Sequence, residues 1–232
     1  SDRLLTVKLD LTKGDDIGSA VAAALAAFGS IDVLVNNAGF GLLGYFEETS
    51  EPLIRKQFET NFFGTINLTR AILPVMRQQK SGYIVTTTST SGIKGVEGDS
   101  IYAATKFALE GWMEGLSFEV NPYGIQCMVL EPGAFRTNFF KEGTSFVFSD
   151  LKIGDYDGRR ERLYGHFTEW DGKQDGNPVK LAVNLFKALE DENPPFRLLI
   201  SKSAYPAVDA YYTKRYAEFQ QWRDLTVDTE FE

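Results

Sequence analysis

Gly82-Tyr-Ile-Val-Thr-Thr-Thr-Ser89 and Ile125-Gln-Cys-Met-Val-Leu130 are two short apolar runs, and the stretch between them predicts a helix. Both runs are rich in β-branched or apolar residues and have the length of buried strands. The helix is predicted to begin near Asp99 or Ser100, which are both good capping residues, and to end at the stop signal Asn121-Pro122-Tyr-Gly124. A strand, a helix and a second strand in this order indicate a parallel sheet.

The same alternation continues on both sides of this unit. Strands are predicted at Leu4–Leu9, Val33–Asn36, Ile84–Thr88, Ile125–Leu130 and Phe196–Ile200. Helices are predicted at Asp15–Phe28, from Ser50 to about Gln79 with one break, at Val179–Leu189 and at Ala204–Arg223. The segment from Thr137 to Asn177 is rich in glycine, aspartate and aromatics and is predicted to be irregular. The fold class is therefore α/β, with a doubly wound parallel sheet in a single domain.

Tyr102 and Lys106 lie four residues apart in the predicted helix, so their side chains share one face. A phenol has an ordinary pKa of about 10 and is a poor acid or base near neutral pH. A lysine ammonium beside it favours the phenolate and lowers that pKa. The pair is therefore a candidate device for proton transfer, although many amphipathic helices contain the same spacing by chance.

Four other elements stand in a fixed order around this pair. Asn36-Asn37-Ala38-Gly39 ends an apolar run, Asn61 lies in a helical stretch, Ser89 ends a strand, and Pro132-Gly133-Ala-Phe-Arg-Thr137 follows the next strand. With these elements in this order, the chain resembles the short-chain dehydrogenase/reductase family from about Leu4 to its end. Its tail is similar to tails in the hydroxysteroid-dehydrogenase-like branch of that family. The resemblance implies a Rossmann-like fold and one nicotinamide-dependent site.

The resemblance also implies a catalytic role for four residues. Tyr102 is expected to be the general acid or base that exchanges a proton with the substrate oxygen. Ser89 is expected to hydrogen-bond that oxygen, and Lys106 to hold the nicotinamide ribose and lower the pKa of Tyr102. Asn61 is expected to bend its helix and hold a water in a proton relay. Ordinary alternatives exist for each, such as a strand-end hydroxyl that satisfies backbone groups.

By the same resemblance, the cofactor is NADP or NAD, and no metal is expected. Cofactor contacts are expected from Asp10, Asn36, Ala38, Gly39, Tyr102, Lys106, Pro132, Gly133, Phe135 and Thr137. Asp10 is expected to meet the adenine amino group, although a turn residue before a helix is nearly as good an interpretation. Asn36, Ala38 and Gly39 are expected to line the adenosine side, where structural and cofactor roles coexist.

The family pattern begins with a strand, a glycine-rich turn, a helix and a second strand, and none of these is found before Leu4. The glycine turn holds the pyrophosphate at a helix N-terminus, and the second strand selects NAD or NADP. We therefore expect the sequence to be an incomplete copy of a longer protein. Because the true N-terminus is expected to be missing, the sequence leaves open whether the protein has an N-terminal targeting signal.

The substrate side is expected in the aromatic segment after the Pro-Gly turn. The aromatic residues are Phe135, Phe139, Phe140, Phe146, Phe148, Tyr156, Tyr164, Phe167 and Trp170. With Phe40, Leu42 and Leu43 they suggest a lid, over about residues 138–178 of the single domain 1–232, above an apolar pocket. The alternative is that half of them belong to the core or to an oligomer contact.

Composition excludes several other classes of function. The 232 residues carry a net charge of −8 with no basic stripe, so nucleic-acid binding by electrostatics is not expected. No apolar run reaches the roughly 18 residues needed to span a bilayer. The single cysteine, Cys127, suits a reducing compartment and a cytoplasmic protein. A metal site or a Ser-His-Asp triad would have to use His166, the only histidine.

Two classes of function are consistent with these observations. The first is an NAD(P)-dependent oxidoreductase that interconverts an alcohol and a carbonyl on a bulky apolar small molecule. The second is a non-catalytic relative that binds a ligand or a partner. The filled catalytic positions favour the enzyme. By resemblance, a homodimer or homotetramer is expected through the long helices Glu59–Gln79 and Ser100–Asn121.

Overall fold

The computed structural model describes residues 3–141 and 145–231, and its strands form two parallel sheets. The strands are β1 (Val33–Asn36), β2 (Gly41–Leu43), β3 (Gly82–Thr87), β4 (Ile125–Pro132), β5 (Phe146–Phe148) and β6 (Arg197–Ile200). The main sheet has the order β1-β3-β4-β6, and β2 pairs with β5 in a separate ribbon. The predicted doubly wound α/β fold is confirmed in this architecture.

Helices connect and cover the strands of the main sheet. They are α1 (Gly14–Phe28), α2 (Glu51–Phe58), α3 (Gly64–Gln79), α4 (Ser100–Val120), α5 (Asp157–Trp170), α6 (Pro178–Leu189), α7 (Tyr205–Gln221) and α8 (Arg223–Val227). Gly124 ends the turn after α4 at φ 73°, and a Cβ there would lie 2.4 Å from the Lys80 carbonyl oxygen. Only glycine fits this turn, which starts β4 beside β3.

Side chains that alternate along β3 and β4 fill two cores on opposite faces of the sheet. Ile84 packs with Met113 of α4 on one face, whereas Val85 packs with Leu185 of α6 on the other. Both strands are therefore buried on both sides, as expected for parallel strands covered by helices. This arrangement leaves the carboxyl ends of the strands as the open edge of the sheet.

Two sequence-based predictions of secondary structure are wrong. Leu4–Leu9 forms no strand, and its apolar side chains are exposed, Leu4 by 75%. A strand exists only when a neighbour pairs with its backbone, and among the described residues no strand pairs with this segment. The segment from Thr137 to Asn177 is not irregular, because it contains β5 and the 14-residue helix α5.

The break predicted between Ser50 and Gln79 is a single π-helical turn, Glu59–Phe63, that joins α2 to α3. The Gly64 N–H donates to the Glu59 carbonyl, five residues earlier, as a π turn requires. Asn61 lies in this turn and is almost completely buried. The bend expected of Asn61 therefore coincides with a real irregularity in the helix.

Candidate active site

A cleft of about 560 Å³ lies beyond the carboxyl ends of β1, β3 and β4. Open α/β sheets bind their ligands at this edge. Among the residues expected to be functional, the cleft is lined by Ala38, Gly39, Ser89, Tyr102, Lys106, Pro132, Phe135 and Thr137. Residues far apart in sequence thus meet at one surface because each follows a parallel strand or begins the helix after it.

Tyr102 and Lys106 lie in the first two turns of α4, on the face that the spacing predicts. The Lys106 Nζ atom is 5.6 Å from the centre of the Tyr102 ring. Burial raises the pKa of Tyr102 to about 12, while hydrogen bonding to Ser89 lowers it and the charge of Asp99 raises it. The expectation that Lys106 lowers the pKa of Tyr102 is therefore wrong for this structure, because burial raises that pKa and Lys106 is not among the groups that shift it. The phenol is protonated near neutral pH, which is the form that can donate a proton.

Lys106 is buried, and its Nζ donates to the Thr87 carbonyl at 3.0 Å. Burial lowers the pKa of Lys106 to about 8, and the charge of Glu110 opposes that shift. An ammonium has three hydrogens to donate, and only the Thr87 carbonyl accepts one among the described residues. The Thr87 hydroxyl, at the same edge of the cleft, is buried and has no hydrogen-bond partner within the described part of the chain. These groups fit a polyhydroxylated ligand such as a nucleotide ribose.

Ser89 lies two residues after the end of β3 and, like Tyr102, lines the cleft. Its Oγ accepts the Ser91 N–H at 3.1 Å, which begins a short 3-10 turn. The neighbouring Thr88 points the other way, and its hydroxyl donates to Glu110 at 2.7 Å. Of the adjacent hydroxyl residues, Ser89 is therefore the one that both contacts Tyr102 and lines the cleft.

Asn61 lies behind the cleft and fixes the loop after β1. Its Oδ1 accepts the Phe40 N–H at 3.0 Å, and its Nδ2 donates to the Phe40 carbonyl at 2.9 Å. A Cβ on Gly39 would lie 3.1 Å from Asn61 Oδ1, so the loop and the amide are in close contact. Asn61 therefore holds the Ala38–Phe40 backbone against the π turn, and its expected part in a proton relay stays a prediction.

Asn36 and Asp10 do not line the cleft. Asn36 is buried, and its Nδ2 donates to Thr69 at 3.0 Å and to Thr86 at 3.2 Å, which ties β1 to α3 and β3. Asp10 lies in the turn before α1 and accepts from the Thr12 backbone and hydroxyl. The hydrogen bonds from Thr12 lower the pKa of Asp10. Asp10 is thus a turn residue before a helix, and Asn36 has a structural role in the sheet.

The Pro-Gly turn separates the cleft from a second cavity. Phe135 pairs with Gly176 in an isolated β-bridge, and the Thr137 hydroxyl caps the turn Asn138–Phe140 through the Phe139 N–H. Gly133 lines the second cavity rather than the cleft, and a Cβ there would lie 2.3 Å from the Ser201 Oγ. Its missing side chain therefore serves close packing against the end of β6.

The second cavity, the aromatic chamber, has a volume of about 250 Å³ and shares Ser89, Tyr102, Phe139 and Phe140 with the cleft. Its other ring-bearing walls are Phe146, His166, Phe167 and Trp170. Five of the predicted pocket aromatics are thus in its wall. Phe148, Tyr156 and Tyr164 are not, because Phe148 and Tyr164 stack on each other and Tyr156 stacks on Tyr45.

Contacts that the sequence analysis missed hold α5 over this chamber. Arg160 of α5 is buried and forms ion pairs with Glu48 and Asp157, and Glu48 also accepts the Ile153 N–H at 2.8 Å. Tyr45 and Tyr156 stack with ring centres 4.7 Å apart. Removing one partner of a buried ion pair is strongly destabilising. Glu48 is therefore the main anchor of α5 on the body of the domain.

A buried carboxyl pair lies behind Lys106 and was also missed. Glu110, one turn after Lys106, accepts from Thr88 and from Arg197 Nε at 3.2 Å. Glu131 is 3% exposed, and its Oε1 has no hydrogen-bond partner among the described residues. Burial first, then the charge of Glu110, raises the pKa of Glu131 to about 7. The signal in the sequence was a lone glutamate between the apolar run of β4 and Pro132.

Glu131→Gln is expected to stabilise the protein at about pH 8 and to have little effect at about pH 5. The folded chain keeps a proton on Glu131 between its ordinary pKa of 4.5 and about 7, whereas the unfolded chain releases it. The contribution of Glu131 to stability is therefore present at low pH and is lost as pH rises through 7, by at most about 3 kcal/mol. Urea unfolding at both pH values, with the exposed Glu190→Gln as control, measures this. An equal change at both pH values would contradict the expectation.

No helix in residues 3–141 and 145–231 is long and apolar enough to cross a membrane. The described residues also contain no group of three or more histidine, cysteine, aspartate or glutamate side chains arranged to hold a metal ion. His166 stacks against Trp170 with ring centres 6.0 Å apart, in the wall of the chamber.

Comparisons with a family model and with individual proteins indicate the same class of protein. Residues 1–146 match the short chain dehydrogenase family. A 3-ketodihydrosphingosine reductase of Bacteroides thetaiotaomicron is 33% identical over 218 residues, which cover 91% of this chain and 76% of that protein. The chain belongs to the short-chain dehydrogenase/reductase family of oxidoreductases.

Two solved structures of the same class are similar to the whole fold. A short-chain dehydrogenase of Streptomyces avermitilis is 39% identical with a TM-score of 0.85, covering 97% of this chain and 81% of that one. ElxO with NADP bound is 25% identical with a TM-score of 0.64, covering 83% of this chain and 74% of that one. The family resemblance inferred from the four sequence elements is confirmed.

Proposed function

We propose that the protein is an NAD(P)-dependent oxidoreductase that interconverts an alcohol and a carbonyl on a bulky apolar substrate. The observation that carries this proposal is the position of Ser89 and Tyr102, which line both the nucleotide-sized cleft and the aromatic chamber. A hydride donor in one cavity and an apolar ketone in the other would meet at these two hydroxyls.

In this proposal, Tyr102 donates its proton to the carbonyl oxygen while Ser89 hydrogen-bonds the same oxygen and orients it. The bound nicotinamide supplies the hydride. Lys106 would hold the ribose, and the loop Ala38–Phe40, fixed by Asn61, would line the adenosine side. Near neutral pH Tyr102 is protonated, which is the form that the reduction step uses.

NADP or NAD is proposed as cofactor. The ElxO structure contains NADP, and the cleft of this chain offers Lys106 and Thr87 groups that fit a ribose. The segment 138–178 is proposed as the substrate lid, because five of its aromatic residues form most of the aromatic wall: Phe139, Phe140, Phe146, Phe167 and Trp170.

The test is a steady-state assay of ketone reduction by the purified protein with NADPH and with NADH. Saturated ketones of increasing chain length are the substrates, and loss of reduced-cofactor absorbance is the readout. Efficiency is expected to rise with chain length as the chamber fills. If the protein binds the cofactor but reduces none of the ketones, a ligand-binding relative without catalysis would be favoured.

Self-association through α3 and α4 is also proposed. Phe118 of α4 is 76% exposed, and Phe107 of α4 and Phe63, directly before α3, are also exposed, whereas Leu109 and Met113 are buried within the monomer. Phe118→Glu is expected to shift the protein from a dimer or tetramer toward a monomer, because a charge would enter an apolar interface. Light scattering at micromolar concentration measures the mass, with Phe219→Glu on α7 as control. A wild-type monomer would exclude the interface.

A further inference from the structure

Glu110 is a buried carboxylate on the same face of α4 as Lys106. It follows Lys106 by four residues, the spacing at which helical side chains are neighbours, and both side chains are buried. A Cβ added to Gly92 would lie 3.3 Å from the Glu110 Cγ atom and 3.3 Å from the Lys106 carbonyl oxygen, so one short turn covers both residues. Burying a charged group is costly, and the position of Glu110 behind the cleft therefore needs a reason.

Glu110 and Lys106 are bound to the same peptide unit at the end of β3. The Lys106 Nζ atom donates to the Thr87 carbonyl at 3.0 Å, and the Thr88 hydroxyl donates to Glu110 Oε1 at 2.7 Å. The N–H of that peptide unit donates to the Leu130 carbonyl at 2.8 Å, which fixes it to β4. The carboxylate and the ammonium are therefore held in a defined relative position.

The charges that surround Glu110 leave a surplus negative charge. Arg197 of β6 donates through Nε to Glu110 Oε2 at 3.2 Å and also pairs with the exposed Glu114 of α4, so one guanidinium is shared by two carboxylates. The other titratable groups that face this cluster are Glu131 of β4 and Tyr212 of α7. Burial raises the pKa of Glu131 to about 7 and also raises the pKa of Tyr212, so neither group adds a positive charge.

The Lys106 ammonium has the opposite imbalance. None of the ion pairs in the described part of the chain includes Lys106, so no carboxylate is in direct contact with its charge. Burial lowers the pKa of Lys106 to about 8, and the charge of Glu110 opposes that shift. A buried charge is tolerated when an opposite charge compensates it, and Glu110 is the carboxylate placed to do so.

We propose that Glu110 is a positioning residue whose negative charge holds Lys106 at the cleft as an ammonium. Glu110 lines neither the cleft nor the aromatic chamber, so it acts only through Lys106. This inference rests on the proposed function of the site, in which the Lys106 ammonium holds the ribose of the cofactor.

The first experiment measures the ionisation of Lys106 in the protein without cofactor. Lysines are labelled with carbon-13 at Cε, and the resonance that is missing from Lys106→Arg is followed as pH rises through 8. Glu110→Gln removes the charge but keeps an oxygen that can accept from Thr88. This variant is expected to lower the midpoint of the Lys106 titration by about one pH unit, the effect of losing a nearby opposite charge. An unchanged midpoint would overturn the proposal and leave the proposed function intact.

Glu114→Gln is the matched control, because Glu114 shares Arg197 with Glu110 but is exposed. It removes the same charge one turn further from Lys106, where solvent screens it, and is expected to keep the wild-type midpoint. An equal fall of the midpoint in both variants would overturn the proposal, because the net charge of the protein would then explain the effect.

The second experiment measures cofactor affinity by fluorescence titration at two pH values. At pH 8, a midpoint one unit lower leaves about a tenth of Lys106 as ammonium instead of about a half, so the affinity of Glu110→Gln is expected to fall by about fivefold. At about pH 6 both proteins keep the ammonium, and their affinities are expected to agree. A loss of affinity that is equally large at both pH values would contradict the proposal, because it would indicate a structural defect. If the cofactor binds as expected but the wild-type protein reduces no ketone, only the proposed function is wrong.

A third measurement covers the case in which Glu110→Gln does not fold. Wild-type protein is labelled with carbon-13 at the glutamate carboxyl groups, and the Glu110 resonance is followed through the same titration. Coupled groups report each other's ionisation, so this resonance is expected to shift at the midpoint of Lys106, separately from any shift near pH 7 caused by Glu131. A Glu110 resonance that does not change while Lys106 loses its proton would overturn the proposal.

Discussion

Tyr102→Phe is expected to lower kcat for ketone reduction by about 100- to 10,000-fold, the usual contribution of a positioned general acid. The substitution removes only the phenolic oxygen, so the ring keeps its packing against Phe139, whose centre lies 6.2 Å away. The hydride donor is expected to bind elsewhere in the cleft, and its affinity should change little. Turnover and cofactor fluorescence titration are measured on the same preparation.

Two outcomes are informative for this variant. Near-normal turnover in Tyr102→Phe would remove Tyr102 from the mechanism, because no other phenol lines both cavities in the described part of the chain. Phe139→Leu is the matched control, since it perturbs the same ring contact without removing a hydroxyl. A similar loss in both variants would show that packing, rather than proton donation, limits the reaction.

Lys106→Ala is expected to weaken cofactor binding by about 10- to 100-fold and to change the pH dependence of reduction. The first effect follows from the loss of a charged donor to the ribose. The pKa of Lys106 is lowered to about 8, so the wild-type ammonium is present below that pH and is lost above it. Wild-type activity should therefore fall above about pH 8, and the fall should move to higher pH in the variant, where only Tyr102 titrates.

Lys106→Arg and the exposed Lys94→Ala provide the controls. Lys94→Ala removes a surface charge and should leave both measurements unchanged. Lys106→Arg keeps a charge that cannot titrate near pH 8, so its activity should not show the wild-type fall. An unchanged affinity together with an unchanged pH profile in Lys106→Ala would show that this lysine has only a structural role at Thr87.

The strand-end residues and the face shared by Tyr102 and Lys106 could be predicted because they depend on local periodicity and on parallel connectivity. Ser89 and Phe135 meet in the structure simply because their strands run in the same direction. The helix α5 could not be predicted in this way. Gly158 and Gly165 weaken its helical pattern, and its position depends on Arg160 reaching Glu48, 112 residues away.

Tertiary contacts also explain the other features that the sequence analysis predicted wrongly or missed. Leu4–Leu9 has an apolar strand pattern, but periodicity reports the character of the side chains and not the presence of a neighbouring strand. Burial raises the pKa of Asp99 and of Glu131, and a sequence shows burial only indirectly for polar residues. Asp99 was interpreted as a helix cap, yet its side chain makes no capping hydrogen bond to α4.

The π turn at Glu59–Phe63 has two structural roles. It continues the helix from α2 to α3, and it holds the loop after β1 through Asn61. A π turn contains one residue more than an α turn, and each residue rotates a helix by about 100°. Deleting one residue from this turn would leave a continuous α-helix that keeps its apolar face on both sides of the deletion but lacks the widened turn that contains Asn61. Asn61 would then face away from Phe40, and the Ala38–Phe40 loop would lose its anchor. The number of residues in this segment is therefore more strictly constrained than the identity of most of its side chains.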